Sequence, residues 1–321
     1  MLIAWSQFKN MEMKRSCIYL LLLIISGCGG DSKTVEVMPN AFGQILDSKV
    51  SGLNYKSGEY NGVTDENGEF GYIQGEQIQF FVGDIAIGYE VEPEDILTPF
   101  ELANNHSLLA LNIARFLQSL DDDALLENGI QIHKSSHSYA KGKRLDFLSL
   151  EWQETNVDHS EIEQLVYLLT SGTLSGARYS VSNGSAYYHF ASTLNYFMSE
   201  INTQIENEID VTGCKTHNEC KVHYVPTAFI GYCPPPSTEY IYSDATTDIQ
   251  KVTRLTEERN EILGIKSGLY YAADFPITHG VCFTSSTPQY PSCNKQSQCE
   301  FSTNFPFDEI DIIDEIKIQG N

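Results

Sequence analysis

The distribution of cysteines constrains this chain more than any other feature of its sequence. Eight cysteines are present; six of them lie between Cys214 and Cys299, and residues 29–213 contain none. An even number of late cysteines indicates disulfide bonds if the protein is exported. We therefore expect the last hundred residues to be stabilised by disulfides, and the long segment before them to depend on a hydrophobic core alone.

The N-terminal segment has the charge and hydropathy pattern of an export signal. Lys14 and Arg15 precede an apolar run, Ile18 to Ile25, that is too short to cross a bilayer as a helix. The run ends in Ile25-Ser26-Gly27-Cys28, which resembles the lipobox of bacterial lipoproteins. The alternative is an ordinary signal peptide with an incidental cysteine.

The lipobox resemblance carries expectations about location. It implies that residues 1–27 are removed as a signal peptide and that Cys28 receives acyl chains such as palmitate, which hold the protein at a membrane. Gly29 stands where inner-membrane lipoproteins usually carry aspartate. The resemblance therefore favours the outer membrane, with the protein facing either the periplasm or the cell surface.

Composition bounds the number of domains and excludes one class of partner. Of the 321 residues, those after position 27 include 17 basic and 42 acidic side chains, a net charge of −25. Such a surface repels phosphate backbones and anionic lipid, so we do not expect a nucleic-acid partner. The remaining length leaves room for two or three domains.

Residues 41–100 predict a small antiparallel β-sandwich. Short segments with mostly alternating polarity are separated by Gly, Asn and Asp. Asp65-Glu66-Asn67-Gly68 predicts a hairpin turn, because Asn-Gly accepts positive φ angles. The predicted strands are Gly43–Asp47, Val50–Tyr55, Gly62–Asp65, Glu69–Ile73, Gln77–Val82 and Ile85–Ile87.

The same block carries a second resemblance. The pattern Asp47-x-x-Val50-x-Gly52-x-x-Tyr55, followed by Thr64-Asp65-x-x-Gly68-x-Phe70-x-Tyr72, resembles the carboxypeptidase-regulatory-like (transthyretin-like) β-sandwich over residues 41–92. Secreted bacterial proteins use that family as an accessory module. The resemblance therefore implies a scaffold and not a reaction.

Residues 101–210 predict a helical segment that packs with the sandwich. Ser160-x-x-Glu163 is a capping box that begins one helix, and Gly172 is expected to end it. The longest amphipathic helix is expected over residues 185–209. The apolar positions at helical spacing are Leu109, Ile113, Phe116, Leu117, Leu120, Leu165, Val166, Leu169, Phe190, Leu194, Phe197, Met198, Ile201 and Ile205.

The last segment, residues 211–321, resembles an uncharacterised cysteine-patterned domain of secreted bacterial proteins. In that pattern a C-x5-C opening, here Cys214 and Cys220, precedes a further cysteine, a Tyr-Ser strand and a helix. Cys233 is followed by Pro-Pro-Pro, where the pattern usually has Gly-Gly-Pro. The helix is expected to be capped by Thr247-x-x-Gln250 and to end at Gly264.

The pairing of the six cysteines stays open, because six allow fifteen connectivities. Nearest-neighbour pairing would join Cys214 to Cys220, Cys233 to Cys282, and Cys293 to Cys299. The acidic tail, residues 305–321, is either a final edge strand or a loose end. The chain is thus predicted to be α+β: signal peptide 1–27, tether 28–40, β-sandwich 41–100, helical segment 101–210, and six-cysteine domain 211–321.

Two groups of side chains have spacings that suggest a metal. Asp121, Asp123 and Asn128 supply hard oxygens near a turn and are the candidate calcium ligands, although a solvated acidic helix end explains them as well. Cys214-x2-His217-x2-Cys220-x2-His223 has zinc-like spacing. Zinc needs free thiolates, which an exported compartment oxidises, so disulfides are the preferred interpretation. No other cofactor is expected.

Function is predicted only in outline. The chain contains no G-x-S-x-G, H-E-x-x-H, G-x-G-x-x-G or P-loop motif. The preferred hypothesis is a non-enzymatic lipoprotein of the outer membrane, a binding or scaffold protein whose partner is an envelope protein or a glycan. The alternative is a protease inhibitor or ligand-capturing module that presents residues 233–243. A hydrolase is the weakest hypothesis.

Overall fold

The computed structural model describes residues 37–153, 160–227, 237–275 and 289–303. The fold is mixed α+β with mainly antiparallel sheets, as the sequence predicts. It divides into two compact units, Met1–Phe190 and Ala191–Asn321. The predicted lipidation site Cys28, two of the six cysteines (Cys233 and Cys282) and the acidic tail lie outside the described residues.

The first unit contains two sheets built from short strands. One has the strand order β5-β1-β8 and the other the order β4-β3-β6-β7, while β2 and β9 form a separate parallel pair. All neighbours within the two sheets are antiparallel except β1 and β8. The strands are β1 (Ala41–Ile45), β2 (Val50–Ser51), β3 (Asn54–Ser57), β4 (Tyr60–Val63), β5 (Glu69–Tyr72), β6 (Ile78–Val82), β7 (Ile85–Val91), β8 (Ile96–Leu97) and β9 (Ile130–Gln131).

Aromatic side chains from both sheets meet in the core of this unit. Phe70 on β5 contacts Phe80 on β6 edge to face, with ring centroids 5.2 Å apart. Tyr55 on β3 packs against both rings, at 6.0 and 5.9 Å. All three side chains are buried, so the alternating pattern of the sequence identifies the inner face of each strand.

Two details of the predicted strands differ. The segment Val50–Tyr55 forms two strands, because the chain turns at Gly52, where φ is +80° and a Cβ would lie 2.4 Å from the carbonyl oxygen of Ile132. The turn at Asn67-Gly68 forms, with the Gly68 amide donating to the Asp65 carbonyl at 2.9 Å. It is not a hairpin turn, because it joins β4 and β5, which belong to different sheets.

Helices follow the strands as predicted. They are α1 (Pro99–Leu102), α2 (Ser107–Ser119), α3 (Lys134–Tyr139), α4 (Glu161–Thr170) and α5 (Asn183–Glu208). The Ser160 hydroxyl caps α4 by accepting from the Glu163 amide at 3.2 Å. The Glu163 carboxylate does not return to the cap, because it pairs with Arg115 of α2 at 3.0 Å.

The second unit contains two β-hairpins and a long helix, and α5 runs into it. Its elements are β10 (Cys220–Pro226), β11 (Ser237–Ser243), α6 (Ile249–Ala272), β12 (Tyr290–Cys293) and β13 (Cys299–Ser302). The sequence predicts a boundary near residue 210, whereas the structure divides within α5, between Phe190 and Ala191.

The predicted limits of α6 are wrong at both ends. The helix is capped by Asp248, whose side chain accepts from the Lys251 amide at 3.1 Å. The predicted cap, Thr247, instead exchanges hydrogen bonds with the backbone of Asp210. Gly264 does not end the helix, because the buried face continues to Leu269.

The nearest-neighbour pairing of the cysteines is also wrong for the four that are described. Cys214 is bonded to Cys293, and Cys220 to Cys299. The cause is the backbone: the Cys299 amide donates to the Val211 carbonyl at 2.7 Å, and the Gly213 amide to the Ser297 carbonyl at 2.8 Å. These bonds place the segment before β10 beside the β12–β13 hairpin, so each bridge crosses between the two.

Candidate ligand-binding face of the first unit

The sheet β4-β3-β6-β7 has one buried face and one open face. Side chains alternate between the faces, so the neighbours of the buried Tyr55 on β3, which are Asn54 and Lys56, point outward. We use the term open face for the outward residues of the four strands. They are Asn54, Lys56, Asn61, Val63, Gln79, Phe81 and Ala86.

The strand register arranges these side chains in two rows. Asn54 is paired with Val63 on one side and Phe81 on the other, and Phe81 is paired with Ala86. The neighbouring row places Lys56 between Asn61 and Gln79. Cross-strand neighbours within a row lie about 4.5–5.5 Å apart. The two rows are two residues apart along β3, at Asn54 and Lys56, so a largely apolar row runs beside a polar row.

A shallow depression of about 630 Å³ lies over this surface, lined by Asn54, Lys56, Asn61, Val63, Phe81 and Asp84, among others. Val63 is 58% exposed and Lys56 is also exposed. Among the described residues, neither the side-chain amide of Asn54 nor the ammonium group of Lys56 has a hydrogen-bond or ion-pair partner. The open face thus offers free donors and an acceptor beside an aromatic ring.

The predicted calcium ligands lie in one loop, but the carboxylate oxygens of Asp121 and Asp123 accept hydrogen bonds from within that loop and its neighbouring strand. Asp121 is buried and accepts from the amides of Leu125 and Gln131, at 2.9 and 2.8 Å. Asp123 accepts from the Leu125 amide and from the Asn128 side-chain amide, both at 2.9 Å. These carboxylates and Asn128 therefore serve to hold the loop between α2 and β9.

The pKa shifts of Asp121 and Asp123 agree with a structural role of these carboxylates in the loop. Burial raises the pKa of Asp121, whereas the hydrogen bond from Asn128 is the main cause that lowers the pKa of Asp123. The Arg178 guanidinium donates to the Asp121 carbonyl oxygen.

In the described part of the chain, one group of three potential metal-ligand atoms lies close enough together to hold an ion. These atoms are the sulfurs of Cys214, Cys220 and Cys293, which are in disulfides.

The zinc-like spacing does not produce a site. Cys214 and Cys220 are oxidised, as stated above. His217 accepts from the Cys293 amide through Nδ1 at 3.0 Å, and His223 Nε2 lies 2.8 Å from the hydroxyl of Thr256 on α6. The two histidines are thus held by different parts of the second unit.

A polar cluster in the first unit joins a serine, a histidine and an aspartate, of which only the aspartate is buried. His189 Nε2 lies 2.9 Å from Ser48 Oγ and 4.0 Å from Asp47 Oδ1. A catalytic triad needs the carboxylate at the other ring nitrogen, Nδ1, so that Nε2 is free to take the serine proton. Both groups approach the same nitrogen here, and this geometry does not form a charge-relay arrangement.

The open face could have been found from the sequence only in part. Alternation within the predicted strands already separates Asn54 and Lys56 from Tyr55, because residues of opposite parity lie on opposite faces. The register that places Phe81 beside Asn54 is set by the pairing of β3 with β6, which are separated by two other strands. No local pattern contains that pairing.

The described residues contain no helix with the length and hydropathy that a bilayer span requires. Comparisons with protein-family models, curated proteins and solved structures find no match to this chain.

Proposed function

We propose that this chain is a non-enzymatic lipoprotein of the outer membrane, anchored through Cys28, that binds an uncharged glycan on the open face of its first unit. The observation that carries the proposal is the pair of cross-strand rows, one largely apolar and one polar, in which the side chains of Asn54 and Lys56 have no partner among the described residues. The anchor is supported by the lipobox resemblance at Ile25 to Cys28.

A sugar ring matches the chemistry of the open face. One face of a pyranose is lined by C–H groups, which pack against an aromatic ring such as that of Phe81, while its hydroxyls need both donors and acceptors. Asn54 and Asn61 provide both, and Lys56 provides donors. A flat, shallow surface suits an extended oligosaccharide better than a small enclosed ligand.

The net charge of the chain restricts the glycan. A protein with a net charge of −25 after residue 27 repels polyanionic chains at long range. Lys56 and Asp84 both line the depression, so their charges offset each other and this surface has no excess of positive charge to overcome that repulsion. Neutral and N-acetylated sugars are therefore the expected ligands, and uronic acids or phosphorylated sugars are not.

Binding is tested with the mature, full-length protein on an array of neutral, N-acetylated and acidic oligosaccharides. Retention should be found on the uncharged members. Asn54→Ala and Lys56→Ala should each weaken the affinity for the best of these about tenfold, the loss of about 1.4 kcal/mol expected for one or two hydrogen bonds.

The matched control is Lys221→Ala, which removes an equally exposed lysine from β10 of the second unit and should leave affinity unchanged. The circular dichroism of each variant verifies folding. An equal loss of affinity in Lys56→Ala and Lys221→Ala would mean that overall charge alone causes the retention of oligosaccharides. Absence of binding to every sugar, together with crosslinking of Lys56 to an envelope protein in cells, would replace the glycan by a protein partner.

The anchor is tested separately. Cys28→Ser should leave an unprocessed or soluble precursor, whereas the unchanged protein should stay in the membrane fraction after a high-salt wash. A variant that remains in the membrane would contradict lipidation at Cys28. The protease-inhibitor alternative rests on residues 233–243, of which 233–236 lie outside the described residues and Ser237–Ser243 form β11; slowing of a protease panel by the intact protein would favour it.

A further inference from the structure

The two described disulfides of the second unit belong to a single sulfur cluster. The Sγ atoms of Cys214, Cys220 and Cys293 all lie within 4.8 Å of one another, and Cys299 is bonded to Cys220. A sulfur of one bridge therefore lies within 4.8 Å of a sulfur of the other. Thiol–disulfide exchange requires a thiolate to reach a neighbouring disulfide in this way.

The backbone is compatible with a bond between Cys293 and Cys299, and the sulfurs of the remaining two cysteines, Cys214 and Cys220, lie within 4.8 Å of each other. Cys293 and Cys299 face each other in the β12–β13 hairpin. Their amides donate elsewhere, the first to His217 Nδ1 and the second to the Val211 carbonyl. They are therefore a non-hydrogen-bonded pair, the arrangement in which facing Cα atoms are only about 4.5 Å apart, close enough for a disulfide.

Only one of the four cysteines is accessible to an external reagent. Cys293 is partly exposed, whereas Cys214, Cys220 and Cys299 are buried, with 0%, 2% and 5% of their surface exposed. Attack on a disulfide depends on access to the sulfur. An external thiol should therefore enter at Cys293.

We propose that this cluster is a thiol–disulfide exchange site that accepts a small or protein thiol at Cys293 and interconverts two pairings. The external thiolate bonds to the sulfur of Cys293, and Cys214 leaves as a thiolate. Cys214 attacks Cys220, which forms the Cys214–Cys220 bond and releases the Cys299 thiolate. Cys299 then attacks Cys293, closes the Cys293–Cys299 bond and releases the external thiolate.

These steps balance without an oxidant or a reductant. Each step forms one S–S bond and breaks one, and the thiolate that starts the sequence is recovered at the end. The thiol loses its proton to solvent before the first step and can regain it after the last. The exchange is therefore catalytic in thiol, and it is independent of the glycan proposal.

The two pairings constrain the chain differently. Each observed bridge joins residues 79 positions apart, and together they hold the β12–β13 hairpin against the segment before β10. The alternative bridges close only local loops. After exchange, only non-covalent contacts such as the Gly213–Ser297 hydrogen bond would hold the hairpin there, so a thiol signal would remove its covalent attachment.

The experiment incubates the mature, folded protein with a substoichiometric amount of glutathione under nitrogen. Samples are quenched in acid, blocked, and digested with trypsin and chymotrypsin. Cleavage after Lys215, Lys221 and Lys295 places each of the four cysteines on a different peptide, and cleavage after Phe283 separates Cys293 from Cys282. Mass spectrometry then distinguishes the two pairings directly.

We expect the peptide pairs Cys214–Cys220 and Cys293–Cys299 to appear with time and to approach a constant ratio to the original pairs. Without thiol, only the original pairs should be found. The trapped mixed disulfide should carry glutathione on Cys293. In the control variant Cys214→Ser/Cys293→Ser, the remaining Cys220–Cys299 bridge should stay intact under the same treatment, because its point of entry is gone.

Two results would overturn the proposal. One is recovery of the original pairs alone from folded protein while the same thiol scrambles them in urea, since the cluster would then be inert in the native state. The other is a mixed disulfide on Cys220 or Cys299, or loss of the remaining bridge in the control variant, which would mean that opening of the whole unit is required.

Discussion

The side-chain amide of Gln118 donates a 2.8 Å hydrogen bond to Oδ2 of Asp47, and so joins α2 to the turn after β1 inside the first unit. The other carboxylate oxygen, Oδ1, is buried and has no hydrogen-bond partner among the residues that the structure describes, and the same holds for Oε1 of Gln118. Burial raises the pKa of Asp47 from its ordinary value of 3.8 to about 6, against the opposing effect of His189. This buried carboxyl should make the stability of the unit depend on pH.

The sign follows from proton binding. Between pH 3.8 and about 6 the folded state binds more protons at Asp47 than the unfolded state, so stability falls as pH rises through this window and stays lower above it. The shift of about two units corresponds to about 3 kcal/mol. Asp47→Asn should remove the dependence and stabilise the first unit at pH 7.5.

Urea unfolding at pH 5 and pH 7.5, followed by tryptophan fluorescence, checks this prediction. Trp152 is the sole tryptophan after residue 27 and is buried in the first unit, so the signal reports that unit. The control is Glu59→Gln, which neutralises an exposed acid on the turn between β3 and β4. Equal changes in the two variants would mean that overall charge, and not Asp47, is responsible.

The buried ion pair between Arg115 and Glu163 predicts a large effect of a single substitution. The Arg115 guanidinium also donates to the Trp152 carbonyl at 2.7 Å, and both charged side chains are less than a tenth exposed. Glu163→Ala leaves the guanidinium without its counter-charge, which should cost about 3–5 kcal/mol. Glu161→Ala removes an exposed acid from the same turn of α4 and should cost less than about 0.5 kcal/mol.

The acidic loop predicts an effect of Asp121 that does not require calcium. Asp121→Ala leaves the Gln131 amide without its acceptor and the Leu125 amide with Asp123 alone, which should cost about 1–3 kcal/mol. Millimolar calcium should leave the melting temperature of the unchanged protein within about one degree, because a ligand stabilises only if it binds the folded state. A larger calcium shift that Asp121→Ala abolishes would restore the calcium hypothesis.

Complete reduction of the disulfides should unfold the second unit and leave the first unit folded. In the chain-entropy model, each bridge across 79 residues contributes about 4 kcal/mol, comparable to the net stability of a small domain. Full reduction should make residues 211–303 sensitive to proteolysis, while Trp152 fluorescence stays native. Simultaneous loss of protection in both units, or resistance of the reduced second unit, would contradict this prediction.

The sequence was most informative where local chemistry decides the structure. The start of α4 at Ser160 is predicted correctly, because a hydroxyl that accepts an amide three residues ahead needs no distant partner. The apolar stripe of α5 is buried as predicted, since helical spacing alone places Leu194, Ile201 and Ile205 on one face. Alternation likewise identifies the inner and outer residues of β3.

Where local signals competed, tertiary contacts decided the outcome. Local preference favours the end of a helix at Gly264, yet α6 continues past this residue because Leu269 is buried further along it. Thr247 is a good cap by local preference, but its hydroxyl bonds to Asp210 and leaves the cap to Asp248.

The sequence by itself determined the α+β class, the division into a cysteine-free and a cysteine-rich segment, and which residues of most strands share a face. These properties depend on composition and on spacings of a few residues. Only the tertiary structure decided that Cys214 pairs with Cys293, and that Lys56 lies between Asn61 and Gln79 on an open face. Such pairings join residues far apart along the chain, and their free energy depends on which backbones meet in the fold and not on any local pattern.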